Sequence, residues 1–180
     1  MACKVEKKIN LAVPRLEVWK TYRDELPDIG KTMPAVESIE TLSREEEGNT
    51  VYLENKWKIS GNIPRAIRNV LPNNLLTYKD KAVWDQSKMI CFFEEEPFDG
   101  SGIYHCKGQN VFEESDNGTI LTIQFELTIY PEKIKGIPTF LIRPVLSNIE
   151  KFVSREVTKN LAATAKLVVS YYNNKKNKNG

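Results

Sequence analysis

Between Asn74 and Pro131 four runs of alternating polar and apolar residues follow one another. They read NLLTYKDKAVW, SKMICFFEEE, SGIYHCKGQNVFEE and GTILTIQFELTIYP, and they are joined by DQSK, PFDG and SDNG. A period of two sends successive side chains to opposite faces of a strand. Asn-Gly is the strongest short hairpin signal. The segment therefore predicts an antiparallel meander with one apolar and one wet face.

Tight turns then predict the registers. A loop at Asn117 and Gly118 sets Phe112 opposite Ile123 and Cys106 opposite Ile129. A turn centred on Phe98 and Asp99 sets Cys91 opposite Cys106 and Phe93 opposite Tyr104. A turn at Gln86 and Ser87 sets Trp84 opposite Met89, Ala82 opposite Cys91 and Asp80 opposite Phe93. All three turns agree on one inner face, which holds Ala82, Trp84, Met89, Cys91, Phe93, Tyr104, Cys106, Phe112, Ile123, Phe125, Leu127 and Ile129. The outer face holds Lys79, Lys81, Lys88, His105, Lys107, Gln124 and Glu126.

These faces bear on CFFEEEPFDGSGIYHC, which runs from Cys91 to Cys106 and contains the chain's single histidine. A metal site needs three or four converging ligands. A cysteine–histidine pair needs hydrogen-bond reach. Cys91 and Cys106 are expected to face inward as a cross-strand pair and His105 outward, so neither chemistry can assemble and no metal is expected. Two buried free thiols, or a regulatory disulfide, are the readings that stay open. Glu94, Glu95 and Glu96 read as solvated strand-end charges or as the acidic mouth of a cavity.

The rest of the chain supplies the partners of this sheet. CKVEKKINLAV alternates as a first strand. Pro14 opens a helix through RLEVWKTYRDEL with Leu16, Trp19 and Tyr22 or Arg23 at helical spacing. A second short helix or turn covers DIGKTMP. AVESIETLSREEEGNTVYLENKWKIS reads as two strands around a turn at Glu47, Gly48 and Asn49, with Val51, Leu53, Asn55, Trp57 and Ile59 on one face. NIPRAIRNVLPNN reads as a short helical insertion stopped by Pro72. From Pro144 onward Leu146, Ile149, Val153, Val157, Leu161, Thr164, Val168 and Tyr172 recur at helical spacing, which predicts one long amphipathic helix.

A length of 180 residues fits one domain, here 1–173, and the Lys- and Asn-rich stretch 174–180 reads as a disordered tail. A net charge of +2 is too weak to argue for nucleic acid. No run approaches the roughly 20 apolar residues of a membrane span, and no signal peptide is evident, so stable membrane insertion is not expected. Three cysteines without framework spacing suggest a reducing, cytoplasmic setting.

Strand, two short helices, six antiparallel strands and a long C-terminal helix is an order that resembles the START-like, helix-grip superfamily, including its polyketide cyclase/dehydrase and lipid-transport members. The resemblance spans Lys4 to Tyr172 and rests on that order and on stretches such as VPRLEVWKTYRDELPDI, NIPRAIRNVLPNNLLTYKDKAVWD and GSGIYHCKGQNVFEE. It implies an α+β fold in which a curved seven-stranded sheet wraps the long helix and encloses a cavity for apolar ligands. On that resemblance Trp57, Trp84, Phe93, Tyr104, Phe125, Leu127 and Phe152 are candidate walls, and Asn55, Tyr78 and Asp80 are candidate polar anchors. A filled core is the competing reading of the same aromatics.

Asp80, inward and opposite Phe93 in the expected register, should titrate high unless paired. The leading expectation is a binding protein for a small hydrophobic molecule, lipid-like or polyketide-like, with no cofactor. The alternatives are a cyclase/dehydrase-type enzyme using Asp80 and Tyr104 as acid and base, against which stands the lack of an expected carboxylate pair, and a protein-interaction domain using the outer lysines.

Overall fold

A computed structural model describes residues 2–60, 76–134 and 158–179. The expected insertion at 62–74, Phe152 and the first half of the expected long helix lie outside the described residues.

The elements run β1 (Ala2–Leu11), α1 (Arg15–Asp24), α2 (Leu26–Gly30), β2 (Val36–Glu47), β3 (Thr50–Ile59), β4 (Thr77–Asp85), β5 (Ile90–Pro97), β6 (Tyr104–Ser115), β7 (Gly118–Ile129) and α3 (Thr158–Asn179). All neighbouring strands pair antiparallel in one seven-stranded sheet of order β1-β7-β6-β5-β4-β3-β2. The first strand closes against the last, so the meander leaves β1 and β2 as edges. The edge strand β2 carries register shifts between Val36 and Ser38 and between Thr41 and Ser43, the bulges that discourage edge-to-edge pairing. This is the helix-grip arrangement expected above.

Helix α1 starts at Pro14, whose carbonyl accepts the amides of Glu17 and Val18 at 3.0 and 3.1 Å. It buries Val18, Trp19, Thr21 and Tyr22, whereas Leu16, expected inside, is exposed. Trp19 is the keystone of the core end of the sheet. Its ring meets Trp84 edge-on at 4.9 Å and Phe112 at 5.2 Å. Helix α2 begins two residues before the expected DIGKTMP segment, with Pro27 in its first turn, where a missing N–H costs nothing. The described part of α3 buries Ala165 and Val168. It continues through 174–179, the segment expected from composition to be a disordered tail. There Lys175 pairs with Glu25, which also accepts the Tyr171 hydroxyl at 3.0 Å.

The faces are as expected, but the registers are not. Asp85 pairs with Ile90, so the β4–β5 loop is longer than the two residues assumed. Asp85 itself closes it, accepting from the Ser87 hydroxyl at 2.5 Å and the Lys88 amide at 3.2 Å. Such an Asx turn competes well with a two-residue hairpin. Residues 98–103 form a wide connection held by the Ser101 amide on Asp99, at 3.0 Å, with Gly100 and Gly102 at positive φ. Cys106 consequently faces Glu95, Cys91 faces Asn110 and Phe93 faces Gly108. The last hairpin turns at Asp116 and Asn117, one residue earlier than expected, so Phe112 faces Leu121. Each shift is an even number of residues, and an even shift leaves every side chain on its face.

The outer face is not basic. Glu54, Lys81, Glu94, Lys107, Glu126 and Lys4 stand opposite one another across six strands, alternating in sign. Opposite charges directly across a ladder favour that register.

Candidate functional site

The shifted registers line up one polar row across the concave face. Thr41, Asn55, Asp80, Glu95 and Cys106 lie side by side on β2, β3, β4, β5 and β6. The Thr41 hydroxyl donates to Asn55 Oδ1 at 2.9 Å, and Asn55 Nδ2 donates to Asp80 Oδ2 at 3.3 Å. Asp80 is 8% exposed and Asn55 3%. Asp80 thus faces Glu95, not Phe93, and the carboxylate pair that the sequence did not lead one to expect is present. The sequence alone reads Glu95 as a solvated strand-end charge or as part of the acidic mouth of a cavity. Yet it is in phase with Cys91 and Phe93, and that parity was the available signal for its inward direction.

Burial raises the pKa of both acids. Asp80 is pushed up to about 6 by its removal from water, opposed by the Asn55 amide and by the nearby Trp57 indole N–H. That N–H lies close enough to favour the charged form but makes no hydrogen bond of normal geometry. Glu95 is pushed up to about 8 by burial and then by the charge of Asp80, while the Cys106 thiol lowers it by hydrogen bonding. Two facing carboxyl groups in such a site titrate as a pair, and near neutral pH they share one proton. Tyr78 and Tyr104 have pKa values raised by burial and then by Glu95, so both remain neutral donors beside the pair.

The flanking rows are apolar. Trp57 and Tyr78 stack on one side, with centroids 5.7 Å apart and planes at 10°. On the other side lie Leu53, Ala82, Phe93, Gly108 and Phe125. Gly108 is required there. A Cβ on it would stand 2.5 Å from Phe93 Cζ and 2.7 Å from Phe125 Cβ. Trp57, Tyr78, Phe93, Tyr104 and Leu127 all face inward yet keep accessible surface. Trp84, by contrast, is 3% exposed and locked among Trp19, Tyr22 and Phe112. It belongs to the filled end of the molecule. Phe125 is nearly buried, Leu127 lies between Cys106 and Cys3, and Tyr104 lies one step along β6 from the row, opposite Ile129. Phe152 is outside the described residues.

His105 points outward to Glu94, at 3.5 Å, away from both thiols. Cys91 and Cys106 are buried and inward, as expected, but they are four positions apart in the β5–β6 ladder and are not opposed. An open depression of about 850 Å³ crosses the outer face between the rows of Phe92 and Glu94. Its charges alternate in sign from strand to strand, and no buried polar group converges there. The chemistry therefore gathers on the concave side.

No family model matches the sequence, and a search of the curated proteins finds no match. Solved structures do match. A Thermus thermophilus protein, TTHA0849, aligns with a TM-score of 0.64 at 16% identity, over 95% of this chain and 99% of that one. The Zhui aromatase/cyclase from Streptomyces sp. R1128 aligns at 0.63 and 16%, over 96% and 94%. Ara h 8.0201 aligns at 0.54 and 11%, over 96% and 98%. Over nearly its whole length, then, the chain shares with these proteins the helix-grip fold.

Proposed function

We propose that the protein binds a small, mainly apolar molecule on the concave face, with the polar group of that molecule directed at Asp80 and Glu95. The observation that carries this reading is the Thr41–Asn55–Asp80–Glu95–Cys106 row, set among aromatic side chains that keep accessible surface. A mostly apolar site with a few placed polar groups is the usual form of a small-molecule site. Trp57, Tyr78, Phe93, Tyr104, Phe125 and Leu127 form its walls. Burial of apolar ligand surface drives association at about 25 cal/mol per Å², and the acids orient the ligand. Extraction of natively purified protein, with mass spectrometry of the organic phase, is expected to yield a stoichiometric apolar species. An empty extract, with no thermal stabilisation by any member of a lipid and polyketide panel, overturns the reading.

The carboxylate pair favours one second reading. The aromatase/cyclase neighbour suggests acid/base chemistry, and two acids sharing a proton suit it. One carboxylate takes a methylene proton from a 1,3-dicarbonyl compound. The other acid gives its proton to the carbonyl oxygen, which leaves the enol. Catalysed exchange of such methylene protons in deuterated water, followed by NMR and lost in Asp80→Asn and Glu95→Gln, is the expected result of this reading. Exchange no faster than in buffer rejects it.

A further inference from the structure

Among the described residues the polar row is acidic and carries no cation. Among the described residues of that row and the two rows flanking it, no Lys or His faces Asp80 or Glu95. Arg44 lies opposite Leu53 at the sheet edge and is already paired with Asp24 and Glu46. Of the two Asp80 oxygens, only Oδ2 accepts a hydrogen bond among the described residues, although the side chain is more than nine-tenths buried. A buried carboxylate without a cationic partner is costly to keep charged. A ligand that brings a positive charge to these two acids is thereby favoured over one that does not.

The neighbouring aromatics give a second, independent reason. Trp57 and Tyr78 are stacked one row away on the same face, and both keep accessible surface. Aromatic faces attract ammonium groups, most strongly where water is excluded. Acids on one side and aromatic rings on the other match an ammonium head on an apolar body. The same arrangement repels a carboxylate head, because a ligand carboxylate would meet two acids and no cationic group among these rows.

We infer that the natural ligand of this site is a small apolar amine, held as its protonated form with the nitrogen between Asp80 and Glu95 and the apolar body against Phe93 and Phe125. This inference rests on the binding reading above. Asp80 contributes the ionised oxygen and Glu95 a second acceptor. Asn55 fixes Asp80 by its amide, and the missing Cβ of Gly108 leaves the space that the end of the Phe93 ring occupies.

The test uses the full chain and three probes that share one apolar body: 2-(2-naphthyl)ethylamine, 2-(2-naphthyl)ethanol and 2-naphthylacetate. Binding is read by isothermal titration at pH 7. The amine is expected to bind at least tenfold more tightly than the alcohol, and the carboxylate to bind most weakly. In Asp80→Asn and Glu95→Gln the amine should lose at least tenfold more affinity than the alcohol does, with circular dichroism and a cooperative thermal melt showing that the variants are folded. Alcohol or carboxylate binding as tight as amine binding to the native protein overturns the inference and leaves the apolar-ligand reading intact. An amine preference that survives in both variants overturns it as well. If none of the three probes binds and the native extract is empty, the binding reading falls and this inference with it.

Discussion

At Glu95 the raised pKa makes a statement about stability as well as about chemistry. An acid whose folded pKa lies above its unfolded value holds its proton more firmly in the folded state. Its stabilising contribution is complete below the unfolded pKa and is lost as pH rises through the folded one. For Glu95 that window runs from its ordinary value of 4.5 to about 8, and for Asp80 from 3.8 to about 6. Among the described residues, the other titratable groups near the pair are Tyr22 on α1, Tyr78 on β4, Cys91 on β5, and Tyr104 and Cys106 on β6. Their pKa values are also raised, mainly by burial, so they remain neutral throughout. The native protein should therefore lose melting temperature between pH 5 and pH 8. Glu95→Gln should flatten that slope and gain on the order of 1–3 kcal/mol at pH 8, less than the full shift because the site is partly open to water. Thermal melts across this range decide the matter, and a native Tm that rises toward pH 8 contradicts the assignment.

At the level of the strands, Gly108 and the two buried thiols report on register. A Cβ at position 108 would stand 2.2 Å from the Gln124 carbonyl oxygen, which is backbone and cannot step aside, as well as pressing on Phe93. Gly108→Ala should cost about 1–3 kcal/mol by overpacking, measured by urea unfolding. Cys91 faces Asn110 and Cys106 faces Glu95. Four strand residues span roughly 13 Å, well beyond the Cα separation of a disulfide. Mild oxidation should leave these two thiols unlinked to one another by peptide mass mapping. A Cys91–Cys106 crosslink formed without unfolding would show that the ladder is in the other register.

Across the whole molecule, α3 is tied to the rest by burial more than by charge. Val168 is fully buried, and Val168→Ala should cost about 1–3 kcal/mol through lost contact and the cavity left behind. The Glu25 carboxylate receives Lys175 and Tyr171 at a partly exposed position. Its replacement by Gln should cost about 0.5 kcal/mol or less, and high salt should erase even that. Chemical denaturation of both variants measures the contrast. No described helix is long and apolar enough to cross a membrane, and the apolar surface of the helices is spent instead on this packing.

Alternation and turn signals were enough to tell which strand side chains face inward and, among the described residues, the order of the strands. Face membership depends only on the parity of position along a strand, and Trp84, Cys91, Phe93, Cys106 and Phe125 keep that parity however the hairpins slide by twos. These signals did not determine which inward side chains meet. Those partners depend on loop length, and loop length was settled by Asp85 closing its own turn and by the wide 98–103 connection. Tertiary structure therefore brought Asp80 to Glu95 instead of Phe93, and packed Trp84 into the core against Trp19. A shift of two residues is invisible to an alternating pattern, yet it changes an aromatic neighbour into a second carboxylate, and with it the chemistry this face can perform.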